Sequence, residues 1–326
     1  MAAVQTLSEA LDNLYTTTWQ NMKKEVTDQI FDATPFWFWM KQAGQLEAVA
    51  GGRFITEPLR YAKSDRVQFI GRGGTVSLND QEFLTTGQWE WKYLVDSIVR
   101  FGVDDQKNRG KNMIINFMKA KLEMSKDSLA DKMEETLFAD NSSDTKAWHG
   151  LQEVILDDPT TNNNYGGIDN NTYTWWRNKT KNMTGLSFAV NGHTEMRTML
   201  NNCGNNLASD KVDLLVSGQT PYEYYEDTVL EQKRIVNKTL GDAGFENIQF
   251  KGRPLIWSSQ CANTRMYFLN TKHLKFKYDP MMNFDMTEWK PIPDQVNDRA
   301  AQVIVAGQLV SRRRRTMGVL HTIDTA

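Results

Sequence analysis

Two cysteines in 326 residues, Cys203 and Cys261, exclude a disulfide framework and point to a reducing compartment. Histidine is nearly as scarce. His149, His193, His273 and His321 are scattered, with no His or Cys at ligand spacing, which argues against a zinc site. No run of 18 apolar residues occurs, so no membrane-spanning segment is expected. The stretch from Met1 to Glu9 lacks a basic region followed by an apolar run, so no secretory leader is expected. Neither sign of charge dominates. Lys and Arg number 38 against 40 Asp and Glu, a net charge of −2, without the basic surplus of a dedicated nucleic-acid binder. Catalytic patterns are missing too. Asp157-Asp158 runs into Pro159-Thr160, a turn signature more than an acid–base pair. Gly71-Arg72-Gly73-Gly74 lacks the Lys-Ser/Thr ending of a phosphate loop, and no Gly-x-Ser-x-Gly elbow occurs. No catalytic residue, cofactor or metal site is assigned, and the chain reads as a non-enzyme.

What is present is a core and an excess of tryptophan. Hydrophobic residues make up 40% and charged residues 24%, so the chain can bury a core. Six of its 10 tryptophans fall in the pairs Trp37/Trp39, Trp89/Trp91 and Trp175/Trp176. Such aromatics serve either as ordinary core or as large contact area at an interface. The single charge run is Arg312 to Arg315. It reads either as a phosphate-contacting stripe or as salt bridges, within or between chains, to the many carboxylates. On a strand only two of the four would share a face. The salt-bridge reading is favoured.

Periodicity divides the chain. Leu7, Leu11, Leu14, Trp19, Ile30 and Phe31 keep roughly helical spacing. Thr34-Pro35 restarts a helix, with Pro35 suited to its first position. The apolar run Phe36 to Met40 is too broad for one small core and is expected to dock onto something large. From Arg53 to Phe101 the period is two. A strand is expected at Arg53 to Tyr61. A second, long one is expected with Trp89, Trp91, Tyr93, Val95, Val99 and Phe101 on its buried face. Between them lies a flexible tip at Gly71 to Gly74, and a hairpin so long needs a partner surface. Asp105 to Phe138 reads as the longest helix, with Ile114, Phe117, Met118, Leu122, Leu129, Met133 and Leu137 on one stripe. A loop-rich insert covers 145–183. Helices are expected at Thr194 to Asn202 and Pro221 to Asn237, the latter with Thr220 and Glu223 as a capping box. Strands are expected at Val212 to Val216, Pro254 to Ser258, Met266 to Asn270, Leu274 to Tyr278, Ala301 to Val310 and Thr316 to Ile323. Interleaving without strict βαβ rhythm favours an α+β fold.

The segment Gly166-Gly167-Ile168-Asp169 followed by Trp175-Trp176-Arg177-Asn178 resembles one found in a group of major capsid proteins of tailed double-stranded DNA bacteriophages. The order of the other pieces is similar to that family as well. They are Thr34-Pro35-Phe36, Gly51 to Leu59, Leu137 to Asp140 with Gly150-Leu151-Gln152, Met266 to Asn270, Leu274, and Asn283-Phe284 to Trp289. The resemblance implies the Hong Kong 97-type capsid fold. Residues 1–50 would be an N-terminal arm, 51–101 the extended β-hairpin loop, and 102–185 a peripheral domain with a spine helix at 105–138. Residues 186–265 would be the axial domain, and 266–326 return strands of both domains. The implied function is self-assembly, as hexamers and pentamers, into an icosahedral head shell around the genome. On this reading Trp37, Trp39, Trp89, Trp91, Arg72, Arg313 and Arg315 are the candidate contacts between subunits. Implied partners are other copies of the chain, portal and head decoration proteins, and packaged double-stranded DNA by non-specific contact, with no membrane. No long scaffolding extension precedes the arm, so a separate scaffolding protein is expected. No crosslinking Lys–Asn pair is matched. The implied location is the virion, after assembly in the host cytoplasm. Two alternatives remain: an encapsulin-type nanocompartment, which shares the fold, and a carbohydrate-active enzyme with a Trp-lined cleft.

Overall fold

A computed structural model describes residues 34–64, 66–76, 80–103, 111–161, 163–204, 210–230, 248–295 and 298–324, together with Thr17. The expected helical segment before Thr34 lies outside the described residues, apart from Thr17, as do the start of the long helix at 104–110 and the end of the helix expected to reach Asn237.

Helix α1 (Pro35–Gln42) starts as the sequence predicts, with Pro35 in its first turn. Phe36, Trp37 and Met40 face inward, and the Trp37 ring meets Phe276 edge-on at 5.1 Å. The large object this segment docks onto is the chain's own main core. Strand β1 (Leu46–Ala48) follows, then the hairpin of β2 (Ile55–Arg60) and β3 (Leu84–Trp89), antiparallel with Ile55 opposite Trp89.

Strand β4 (Lys92–Arg100) corrects one expectation. The predicted continuous strand through Trp89 is interrupted at Glu90–Trp91, and there the buried parity inverts. Gly87 and Trp89 are buried in β3, whereas Ile98 and Arg100 are buried in β4 and Tyr93, Val95 and Phe101 are exposed. Alternation holds only along an unbroken ladder. Here the chain leaves one sheet for another, and the two intervening residues reset the phase.

The long helix α2 (Lys111–Phe138, 28 residues) spans about 42 Å. Leu122, Leu129, Met133 and Leu137 are buried as predicted, while the side chains of Ile114, Phe117 and Met118 lie outside the described ones. Its middle turns lie on β4, where Lys121 donates to the Val99 carbonyl at 2.7 Å and Ser125 bonds Asp96. Helix α3 (Leu151–Val154), β5 (Asn164–Tyr165), β6 (Ile168–Asp169) and β7 (Lys179–Asn182) occupy the predicted loop-rich insert.

Helix α4 (Phe188–Cys203) is longer than predicted. Strand β8 (Leu214–Ser217) leads into α5, Gln219–Leu230 in the described residues. That helix starts before the predicted Thr220 cap, because the Asn263 side chain accepts the Gln219 N–H at 3.0 Å and caps it from outside. Strands β9 (Ile248–Phe250), β10 (Arg253–Trp257), β11 (Met266–Leu269), β12 (Leu274–Met286), β13 (Lys290–Pro291), β14 (Arg299–Ser311) and β15 (Gly318–His321) complete the chain.

Two larger sheets organise the molecule. In one, β14 is flanked by β12 and β4, and β1 adds to β12 in parallel. The other runs β7-β15-β11-β8-β10-β9. Its strands alternate between two cores, as period two requires. Leu214, Val216, Ile256, Tyr267 and Val319 join the main core with α1 and α2. Leu215, Leu255, Met266, Phe268 and Leu320 form a second core with α4 and α5.

Candidate functional site

The features the sequence singles out converge at the root of the β2–β3 hairpin. Alternation along β2 turns Ile55, Glu57 and Leu59 inward and Thr56, Pro58 and Arg60 outward. Glu57 is therefore a carboxylate on an apolar face. Burial alone would raise its pKa, but hydrogen bonds from Arg312 and Lys277 outweigh burial and hold it below the usual carboxylate value. Arg312 grips it with two bonds, at 2.7 and 3.0 Å, and the buried Lys277 ammonium of β12 closes the other side.

The Gly166-Gly167 turn docks on the same root. Gly166 has φ +70°, and a Cβ there would stand 2.6 Å from the Trp89 ring, so only glycine fits. Its carbonyl accepts the Gln88 N–H at 3.0 Å. Beneath it, Tyr165 donates its hydroxyl to the Leu309 carbonyl at 2.9 Å and accepts the Ser311 N–H at 3.0 Å. Trp176 donates its indole N–H to the Tyr165 carbonyl at 3.2 Å.

The arginine run sits on a turn between β14 and β15, and three of its members are spent within the chain. Arg313 bonds both oxygens of the buried Asp210 at 2.6 Å. Arg314 is fully buried and donates to the Val154 and Glu153 carbonyls at 2.6 and 3.1 Å. It lies over the rings of Tyr165 and Trp176, at 5.3 and 5.8 Å from their centroids. Burial pulls its guanidinium down to about 10, with Tyr165 opposing. Arg315 is exposed. Arg312 and Arg313 thus agree with the salt-bridge reading of the run, in its intrachain form, while Arg314 is held by carbonyls and rings.

Two candidate contacts need correction. Trp37 and Trp89 are each 2% exposed, and their faces are covered by the chain's own side chains, so they cannot reach a neighbouring molecule directly. The same burial removes them as walls of a sugar cleft. Trp39 and Trp91 are half-buried, and Trp91 donates to the Gly52 carbonyl at 2.9 Å. Arg72 stands exposed at the hairpin tip.

Beyond Arg60 the hairpin loses its ladder. Residues 66–76 carry Val67, Phe69, Ile70 and Val76 largely in solvent, and the Gly71 carbonyl accepts the Gly74 N–H at 3.0 Å in the turn. At the root, a cleft of about 620 Å³ lies between Arg60, Tyr61 and Lys63 on one side and Trp175, Arg313 and Arg315 on the other. Sequence reasoning missed Glu57, Tyr165, Asp210 and Lys277. Only Glu57 left a signal, since period two places it in line with Ile55 and Leu59. Among the described residues no cluster of three or more His, Cys, Asp or Glu could hold a metal, and no helix is long and apolar enough to cross a membrane.

This architecture recurs in solved shells. The chain superposes on the capsid chain of cyanophage A-1(L) with a TM-score of 0.63 at 17% identity, over 87% of this chain and 92% of that one. The capsid chain of Myoviridae phage XM1 gives 0.55 at 10% identity, over 87% and 92%. The SrpI encapsulin of Synechococcus elongatus PCC 7942 gives 0.55 at 11% identity, over 90% and 89%. No family model and no curated protein matches the chain. What the likeness defines is the fold. It is of the Hong Kong 97 type, as the resemblance implied.

Proposed function

We propose that this chain is a major capsid protein, self-assembling as hexamers and pentamers into the icosahedral head shell of a tailed phage. The observation that carries the reading is the hairpin. Its root is fixed to the body by Glu57, Trp89 and Gly166, while its tip offers Val67, Phe69 and Ile70 to solvent. An apolar surface held out on a firm base fits a neighbouring copy. The fold-level likeness to the cyanophage A-1(L) capsid chain supports the same direction. The work is structural rather than catalytic. Portal, decoration and scaffolding proteins, non-specific contact with double-stranded DNA, assembly in the host cytoplasm and residence in the virion belong to this reading.

The test is deletion of Asp65 to Gln81. Light scattering and negative-stain microscopy of the intact chain should show megadalton closed shells. The deleted chain should stay folded and form none, and normal shells from it would sink the hairpin's role. A second reading, an encapsulin-type compartment, draws on the Synechococcus elongatus neighbour. Nucleic acid inside native particles supports the phage head, and a protein cargo in its place supports the compartment.

A further inference from the structure

Glu134 is a carboxyl group only 9% exposed, at the place where α2 meets the turn that follows β10. Its Oε1 lies 2.5 Å from the hydroxyl of Ser258, the first residue of that turn. Among the described residues this is its one hydrogen bond, and no cation stands at ion-pair distance. The titratable groups that face it are Asp131 on its own helix and the Cys261 thiol of the turn. Beyond Cys261 stand Tyr267 of β11 and Arg265, and both oxygens of Asp157 take up the Arg265 guanidinium at 2.6 Å. His321 of β15 lies against that pair. Burial, reinforced by Asp131, outweighs the Ser258 bond and raises the Glu134 pKa, because the anion has no counter-charge.

The turn from Ser258 to Arg265 ties several elements together. The Ser258 N–H donates to the Ser217 carbonyl of β8, and the Arg265 carbonyl accepts the Gly218 N–H, each at 3.2 Å. Asn263 caps α5 through the Gln219 N–H. Inside the turn, the Cys261 N–H donates to the Ser258 carbonyl and the Gln260 N–H to the Ser258 hydroxyl, each at 3.2 Å. The packing is tight, since a Cβ on Gly218 would stand 2.6 Å from the Ala262 carbonyl oxygen. We propose that the Glu134–Ser258 bond is a proton-held latch: it ties the 258–265 turn to α2 while Glu134 carries its proton, and loss of that proton frees the turn and loosens the cap on α5. One hydroxyl does not replace the hydration of a carboxylate. Asp131, just under one helical turn away, is exposed, so a change of rotamer brings the ionised Glu134 to water and takes it from Ser258. The folded pKa is raised, so the latch is fully closed below the ordinary value of 4.5 and opens as pH rises from there through the folded value. His321 acts in the opposite direction, because burial lowers its pKa and acid is what charges it.

The test uses the unassembled full-length chain and the Cys261 thiol, which is 3% exposed in the closed turn. Its reaction with 4,4′-dithiodipyridine is followed by mass spectrometry, and each rate is divided by that of the urea-unfolded chain at the same pH. Protection of Cys261 should fall from pH 4.5 upward, by as much as about tenfold per pH unit, and level off above the folded pKa. At neutral pH the thiol should react about tenfold or more faster than global unfolding, measured in urea at that pH, allows. Glu134→Gln keeps a hydrogen-bonding group but has no proton to lose, so its Cys261 protection should stay at the acid level throughout. Amide exchange of the parent chain covers failure of that variant to fold. Corrected for intrinsic rates, the Cys261 and Gln219 N–H groups should lose protection along one pH curve. Protection that is flat with pH, protection equal to the unfolding constant at every pH, or a step that survives Glu134→Gln overturns the proposal. So does a Gln219 amide that ignores the step at Cys261. Every readout comes from the single chain, so the result stands apart from the outcome of the deletion test.

Discussion

The root and the tip of one hairpin are built on opposite rules. At the root, the central side chains pack or bond within the same chain: Glu57 with Arg312 and Lys277, Trp89 with Tyr165 and Gly166, Arg314 with two carbonyls. At the tip, Val67 and Phe69 face solvent and the β-ladder has stopped. A few residues of chain separate a region specified by internal contacts from one that the single molecule leaves unfinished. The contrast implies that mutations at the root should change stability and mutations at the tip should change association.

The largest stability effect should come from Glu57→Ala. It strands Lys277 and Arg312 beside an apolar wall, and breaking a buried ion pair from one side costs about 3–5 kcal/mol. Urea unfolding reads the shift in midpoint, and a loss typical of a surface site would erase the distinction between root and tip. Gly166→Ala should follow at about 1–3 kcal/mol, since it forces φ +70° on a side chain that meets the Trp89 ring. Its melting temperature should fall with no change at the tip.

Two buried carboxylates sharpen the comparison through pH. Glu57 has a lowered pKa, so its stabilisation is present above the unfolded value of 4.5 and lost as pH falls through the lower folded value. Glu134 of α2 bonds Ser258 at 2.5 Å, and burial, reinforced by Asp131, raises its pKa. Its contribution is present below 4.5 and lost as pH rises through the folded value. Glu57→Gln should therefore flatten the acid limb of the stability profile. Glu134→Gln should flatten the limb above 4.5 and add on the order of 1 kcal/mol at neutral pH. Matching profiles for the two variants would contradict this assignment. The smallest stability effect should be at the tip. Phe69→Ser should stay within about 0.5 kcal/mol of the parent yet abolish closed shells in negative stain.

Much of this was legible in the sequence, for local reasons. Thr34-Pro35 opens α1, and the Leu122 to Leu137 stripe of α2 faces the core because helical spacing needs no distant information. The fold type was carried by the order of short segments. The failures were non-local. Period two could not see that the strand through Trp89 changes sheets at Glu90–Trp91, so Tyr93 and Val95 were assigned to the wrong face. The arginine run could be weighed only as a run. Its partner Glu57 is 255 positions away from Arg312, and Asp210 is 103 from Arg313. The Gly166-Gly167 turn stood out in the sequence, but its reason is a tryptophan ring on another strand.

The pairing of β4 with β14 has a mechanical consequence. From Lys92 opposite Gly307 to Arg100 opposite Arg299 the two strands are in continuous register. The hairpin runs directly into β4. A pull on the tip is therefore passed through Glu90–Trp91 to β4, and the β4–β14 ladder is the first long set of bonds to carry it. At the far end of β14 the chain turns through Arg312 to Arg315 into β15, which is one covalent link between the two sheets beside that from β11 to β12. In the proposed shell, tension on that link would load the bonds of Arg312, Arg313 and Arg314, which brace the turn between β14 and β15.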